Sequence, residues 1–149
     1  MKKAFFLFLL SVSLFLPGCV GFYTVSVKDA TGALVREIAG GEVEYYDAIL
    51  MIRNTAFLPA NALVRNHTFV ILPGAEIEIG INLSLIRNSR VSSFEIPVAF
   101  TPAPSKRGSQ YKGAKKIWRI NSYNPTLSND IWLLEWVEGR GFEIITQPH

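Results

Sequence analysis

The chain has 149 residues, a formal net charge of +3 and 49% hydrophobic residues, which fits one ordinary folded domain and excludes a disordered tail. A single cysteine excludes a disulfide framework within one chain, and two histidines leave few ligands for a zinc site. The composition alone therefore argues against a disulfide-rich domain and against a zinc site.

The first residues have the pattern of an export signal. Met1-Lys2-Lys3 is a short basic start, Ala4 to Leu16 is almost entirely apolar, and Pro17-Gly18 ends the run. The run is shorter than the roughly 20 apolar residues that a transmembrane helix needs. A basic start, a short apolar run and a breaker pair are typical of a secretory signal peptide. We expect residues 1–18 to be cleaved from the mature chain.

Leu16-Pro17-Gly18-Cys19 resembles the lipobox of bacterial lipoproteins, although Pro17 stands where that family prefers Ala, Ser or Thr. The resemblance covers residues 1–19. It implies cleavage between Gly18 and Cys19, a diacylglycerol on the Cys19 thiol, and a fatty acyl group such as palmitate on the new amine. Two or three acyl chains give stable anchoring, so it also implies a protein held at a membrane without a transmembrane helix.

Val20, directly after the lipobox, resembles the outer-membrane class of lipoproteins. It implies a lipid-anchored position in the cell envelope, on the periplasmic face of the outer membrane if the organism is Gram-negative. Removal of Lys2 and Lys3 leaves the mature chain near neutral, so the pI of about 9.1 is no evidence for nucleic-acid binding.

From residue 22 onward the sequence predicts strands, with almost no tether after Cys19. Residues 22–27 and 34–38 are predicted to pair as a hairpin. Residues 43–53 form the next predicted strand, whose middle also fits one or two helical turns. Residues 63–64 and 67–72 make a further extended segment.

Strict alternation identifies the strongest strand, Ala75 to Leu85, where isoleucines and leucines occupy one face. A second alternating stretch covers residues 93–100. Because Pro97 cannot donate a backbone hydrogen bond, we expect this strand to lie at a sheet edge or to bulge at that residue.

The last predicted strands cover residues 117–120, 131–137 and 142–145. Residues 131–137 are apolar on both faces, which favours a central strand, and Gly139-Arg140-Gly141 is predicted to be a hairpin loop. Eight or nine short strands with frequent turn signals predict an all-β fold. We expect residues 19–149 to form a single β-sandwich of mostly antiparallel strands, in preference to a small barrel.

A basic segment, residues 101–116, interrupts this pattern and contains no acidic residue. A loop of this length inside a small domain is commonly functional or disordered. One hypothesis is contact with an anionic surface or an acidic partner; the alternative is a solvated loop that aids solubility. The candidate contact residues are Lys106, Arg107, Tyr111, Lys112, Lys115, Lys116, Trp118 and Arg119.

Residues suited to catalysis are few. His67 and His149 are the only imidazole bases, and no Gly-x-Ser-x-Gly motif is present. Glu76 and Glu78 share one strand face, which we interpret as a solvated face and not as a catalytic carboxylate pair. We therefore predict no enzyme activity, no metal site and no cofactor.

Two function classes follow from these observations. The first is a non-enzymatic structural or interaction module, such as a subunit of a secretion or envelope assembly. The alternative is a periplasmic binding or inhibitory lipoprotein, acting as a hydrolase inhibitor or in phage exclusion. Both imply a membrane anchor and an envelope protein partner, and neither implies nucleic acid.

Overall fold

The computed structural model describes residues 23–39, 46–82, 93–103 and 112–147. Within these ranges the chain forms ten strands and one short 3-10 helix, Pro125–Ser128. The strands are β1 Tyr23–Lys28, β2 Leu34–Ala39, β3 Ala48–Asn54, β4 Ala60–Val64, β5 His67–Ile71, β6 Glu76–Ile81, β7 Ser93–Pro102, β8 Ala114–Asn121, β9 Asp130–Val137 and β10 Gly141–Gln147.

Two sheets pack face to face. The larger has the order β10-β9-β3-β6-β1-β2, and the smaller has the order β5-β4-β7-β8. Neighbouring strands are antiparallel except for the parallel pair β3–β9. The prediction of an all-β sandwich is confirmed. The described residues hold ten strands instead of eight or nine, in part because a turn at Arg65-Asn66 separates β4 from β5.

Alternation builds the core, because every second side chain of each central strand points between the sheets. In β6 the isoleucines at 77, 79 and 81 are fully buried, as the alternation predicted. Trp118 from the small sheet and Trp132 from the large sheet are the largest fully buried side chains of the described chain. Each sheet therefore contributes one of the two buried tryptophans to the core.

The strand pairings define two ends of the sandwich. The proximal end carries Tyr23, Ala48 and Ile81, which lie side by side, together with the 3-10 helix. The distal end carries the turns 29–33, 55–59, 72–75 and 138–140, and the flanks of the β7–β8 connection. Each end gathers residues that are far apart in the sequence.

Several strand predictions are confirmed. The β1–β2 hairpin forms, β9 lies between β10 and β3, and residues 138–140 connect β9 to β10 with Gly139 and Gly141 at positive φ. The helical alternative for the middle of 43–53 is wrong for Ala48–Asn54, which is strand throughout. Residues 43–45 lie outside the described ranges, as do 83–85 of the alternating stretch.

The prediction that Pro97 marks an edge strand or a bulge is wrong. β7 lies between β4 and β8, and its register with β8 runs without a shift through the Pro97–Ile117 pair. The physical reason is the short length of β4, whose last partner on β7 is Val98. Pro97 thus lies one residue beyond the end of β4, where the missing N–H breaks no β4–β7 pairing.

The residues that the structure describes contain no helix long and apolar enough to cross a membrane.

Candidate functional site

The predicted basic segment 101–116 is divided between strands and a shorter connection. β7 continues through Pro102 and β8 begins at Ala114, so the connection covers residues 103–113 and the prediction of a loop over 101–116 is wrong at both ends. Gly113 allows the chain to approach β7 closely just before β8 begins, because a Cβ at that position would collide with the Phe100 carbonyl oxygen. Lys106, Arg107 and Tyr111 lie outside the described residues.

Trp118 does not contribute to an exposed contact surface. Its side chain is 0% exposed, and its indole Nε1–H donates to the Ser128 carbonyl oxygen at 2.7 Å. Strand alternation explains the correction, because Trp118 falls on the inward face of β8 with Ile120. The surface role predicted for Trp118 is wrong.

Arg119 is exposed, but it is committed to an ion pair on the outer face of the small sheet. Its Nε donates to Glu95 Oε1 at 2.9 Å, across the directly paired positions of β7 and β8. Because both side chains are more than half exposed, this pair adds little to stability. Arg119 is therefore not an uncommitted cation.

Lys112, Lys115 and Lys116 occupy three different environments. Lys112 lies at the distal end, where its carbonyl oxygen accepts a hydrogen bond from the Phe142 N–H at 3.3 Å. Lys116 turns inward at the side of the sandwich, where its ammonium contacts the Thr146 hydroxyl and lies 5.0 Å from the centre of the Trp132 ring. Lys115 lies on the outer face of the small sheet. The predicted basic surface is thus not continuous among the described residues.

A groove of about 520 Å³ crosses the outer face of the small sheet, and the sequence reasoning missed it. Its lining combines apolar residues with three cations; Arg65 and Lys115 are among the outward residues, whereas Lys116 and Val98 occupy inward-facing strand positions. The lining residues are Leu63, Arg65, Pro97, Val98, Ala99, Lys115, Lys116 and Ile117.

Cross-strand register explains why the groove residues meet. One row across the sheet contains Leu63 on β4, Ala99 on β7 and Lys115 on β8. Pro97 pairs with Ile117 in the neighbouring row. Leu63 and Ile117 are each more than 40% exposed, which is unusual for the solvent face of a strand. The available sequence signal was the apolar residue at each of these outward positions.

A second exposed feature lies at the distal end. Phe57, 69% exposed in the β3–β4 turn, packs edge-on against Trp136 with ring centres 5.9 Å apart. Trp136 in turn packs at 90° against the buried Phe142, with ring centres 5.2 Å apart. The exposed Phe57 is thus connected through Trp136 to the buried Phe142, whose N–H donates to the Lys112 carbonyl oxygen.

The two glutamates of β6 are held in ion pairs. Glu76 lies between Lys28 and Arg53, at 3.8 and 3.0 Å, and Glu78 contacts Lys28 at 3.2 Å. Their side chains are only 12% and 21% exposed, so the interpretation as a freely solvated face is wrong. Direct opposition of Lys28, Glu76 and Arg53 across three strands accounts for the arrangement.

Other titratable groups have structural surroundings. Asp29 closes the β1–β2 turn by accepting hydrogen bonds from the Thr31 hydroxyl and from the N–H groups of Thr31 and Ala33, and these bonds lower the pKa of its carboxyl group. His67 is exposed at the start of β5. No group of three or more metal-ligating side chains occurs in the described part of the chain. Cys19, Gly18 and His149 lie outside it.

Comparison of the chain with protein-family models, with curated proteins and with solved structures finds no match.

Proposed function

We propose that this protein is a lipid-anchored lipoprotein of the cell envelope that acts as a non-enzymatic interaction module, for example as a subunit of an envelope or secretion assembly. The observation that carries the proposal is the lipobox-like Leu16-Pro17-Gly18-Cys19, followed closely by β1 at Tyr23. The anchor position would be the outer membrane, facing the periplasm, in a Gram-negative organism.

The short distance between Cys19 and β1 gives the proposal an orientation. Only residues 20–22 separate the two, and an extended chain of four residues reaches about 14 Å. Because Tyr23 is at the proximal end, that end would face the anchoring membrane. The distal end would then point away from it, about 20 Å further on, since a strand of six residues rises by about this much.

In this orientation, the basic residues of the distal end would be held away from the anchoring membrane. Electrostatic attraction between exposed charges is screened over about 8 Å at physiological ionic strength. Lys112 would therefore lie beyond the range of the anchoring leaflet. Within the proposal, the distal end is the surface for a partner, and membrane attachment depends on the lipid at Cys19.

The distal end has the character of a protein-binding surface. Phe57 is exposed and is held by Trp136, and rigid aromatic side chains frequently supply most of the binding energy at interfaces. Lys112, whose carbonyl oxygen bonds to the Phe142 N–H, adds a positive charge at the same end of the sandwich. The matching partner is an envelope protein with an apolar pocket and acidic groups near it.

A non-enzymatic role agrees with the surroundings of the acidic residues. Glu76 and Glu78 are neutralised by Lys28 and Arg53, and Asp29 is occupied by the backbone of its own turn. None of these carboxylates combines with the exposed His67 into a nucleophile–base arrangement among the described contacts. The alternative of a binding or inhibitory lipoprotein is supported by the groove on the small sheet.

Replacement of the lipid-accepting thiol tests the anchor. We expect Cys19→Ala to leave the precursor uncleaved or to release the protein from the membrane pellet, because no diacylglycerol can be attached. Cell fractionation together with mass spectrometry of the mature amino terminus measures both effects. The neighbouring substitution Val20→Ala is the control and should fractionate like the unmodified protein. Equal fractionation of Cys19→Ala and Val20→Ala would contradict the proposal.

A further inference from the structure

The groove on the outer face of the small sheet combines apolar side chains with one outward cation on each side. Its floor is formed by Pro97 and Ala99 on the middle strand β7, with Leu63 of β4 and the following Arg65 along one side and Lys115 and Ile117 of β8 along the other. Its volume of about 520 Å³ lies within the range of sites that bind small molecules. The two chemical characters occur side by side, which matches an amphiphilic ligand.

The charges of the groove have one sign. No acidic side chain is among its lining residues, and the carboxylate on the same face, Glu95, is paired with Arg119 at 2.9 Å. Lys115 forms no ion pair with any residue in the described ranges. An anionic group above the apolar floor would therefore meet favourable charge and no described carboxylate within the groove.

The position of the groove in the sheet disfavours a peptide strand as its occupant. Peptides that extend a sheet bind to the unpaired backbone groups of an edge strand. The groove lies over β4, β7 and β8, and β4 and β7 each have paired neighbours on both sides. β8 is an edge strand, but the unpaired backbone groups of an edge point sideways from the sheet and not into a groove on its face. A ligand there interacts mainly with side chains, which suits an acyl chain that needs no hydrogen bonds.

A second copy of the chain is also disfavoured. Two-fold packing of this face on itself would bring the cations of both copies into one interface, where like charges repel. We propose that the groove binds a single acyl chain that carries an anionic head group, with the chain against Leu63, Pro97 and Ile117 and the head group near Lys115.

Photo-crosslinking tests this site in membranes that contain the full chain. The probe is a 16-carbon fatty acid with a diazirine in its chain, and the neutral comparison probe is the alcohol of the same length. Tandem mass spectrometry of digested protein locates the label. We expect labelling of β7 and β8 by the acid, with weaker labelling by the alcohol. Because the strands of the folded domain form the groove, we expect β7 and β8 to be labelled whether or not Cys19 carries lipid. Failure of this experiment is therefore distinguishable from failure of the proposed anchor.

A matched pair of substitutions separates the groove from general surface apolarity. Ile117 in the groove is 44% exposed, and Ile145 on the opposite sheet is 42% exposed. Ile117→Asp should lower labelling of β7 and β8 about tenfold, because a carboxylate disfavours the acyl chain, whereas Ile145→Asp should leave it unchanged. Ala99→Leu, which fills the groove without adding charge, should also reduce labelling.

The head group is tested separately. Lys115→Gln should reduce labelling by the acid about threefold and leave labelling by the alcohol unchanged, as expected for one partly exposed charge pair. Competition by unlabelled palmitate or by lysophosphatidylglycerol distinguishes a free fatty acid from a lipid head group, and displacement by either supports the site.

Equal labelling of the Ile117→Asp and Ile145→Asp proteins would overturn the proposal. Absence of label on β7 and β8 would overturn it as well, as would crosslinks through these strands to a second copy of the chain. Circular dichroism checks that each variant is folded. If Ile117→Asp does not fold, loss of label in the folded Ala99→Leu protein supports the site and full labelling of that protein overturns it.

Discussion

Trp118 and Trp132 allow a test of hydrogen bonding at the scale of one residue. Both are essentially unexposed, at 0% and 1%. Trp118 Nε1–H donates to the Ser128 carbonyl oxygen at 2.7 Å, whereas Trp132 Nε1 has no hydrogen-bond partner within the described chain. A phenylalanine at either position removes a similar volume, so the two substitutions differ mainly in what happens to the polar atoms.

We predict that Trp118→Phe lowers the free energy of unfolding by about 1–3 kcal/mol more than Trp132→Phe does, since only the first leaves a buried carbonyl oxygen without its donor. Urea denaturation of the two variants measures the difference. A Trp132→Phe protein that is equally or more destabilised would contradict the argument.

The sequence already contained the information that buries Trp118, but proximity to lysines concealed it. Trp118 and Ile120 alternate with Ile117 and Arg119, which is the pattern of a half-buried strand. The basic residues around Trp118 led to its assignment to the basic segment, whereas the two-residue alternation along the strand assigns it to the core. For the candidate site, this alternation was therefore a more reliable guide than the local charge composition.

At the scale of an element, β6 depends on a glycine. Gly80 pairs with Thr24 on one side and Ile49 on the other, and a Cβ at Gly80 would collide with the Tyr46 ring. The Tyr46 hydroxyl accepts a hydrogen bond from the Thr24 hydroxyl, which holds the ring across the strand. The glycine thus makes room for an aromatic side chain that covers β1 and β6.

We predict that Gly80→Ala lowers the free energy of unfolding by about 1–3 kcal/mol, because the methyl group must displace the Tyr46 ring. In a Tyr46→Ala background the same change should have a smaller cost or none. A double-mutant cycle measured by chemical denaturation gives the coupling. An identical cost of Gly80→Ala in both backgrounds would show that the ring is not the cause.

The strands with the strictest alternation of apolar and polar residues were predicted most accurately from the sequence. β6 and β7 have strict alternation and were predicted within a few residues, while β4 contains Ala60 and Ala62, whose small side chains give little strand signal. Pro97 was misjudged because its surroundings depend on where β4 ends, which is a tertiary property. Local patterns predicted which residues form strands; strand order came from long-range packing.

For the whole molecule, the separation of the two ends leads to a prediction about the basic segment. Ala103 and Lys112, which flank residues 104–111, both belong to the distal end, as shown by hydrogen bonds from the Ala103 N–H to Pro59 and from the Phe142 N–H to Lys112. Under the proposed anchoring, this end lies outside the electrostatic range of the membrane.

We predict that joint replacement of Lys106, Arg107 and Lys112 by glutamine leaves membrane attachment unchanged between 0.05 and 0.5 M salt, conditions chosen to span strong and weak screening at about 14 and 4 Å. The same variant should recover less of an acidic partner in a pull-down from detergent-solubilised envelopes. Arg119→Gln, which removes a paired charge elsewhere, is the control. Weaker attachment of the triple variant at low salt, or salt-dependent release of the unmodified protein alone, would contradict this assignment.

The parallel pairing of β3 with β9 has a consequence for how the chain acquires its structure. β3 occupies the middle of the large sheet, yet one of its two neighbours is supplied by residues 130–134. Until those residues leave the ribosome or a translocation channel, the backbone N–H and C=O groups along that edge of β3 have no partner, and such long-range closure slows folding. We therefore expect the large sheet to be completed only after residues 130–134 have emerged.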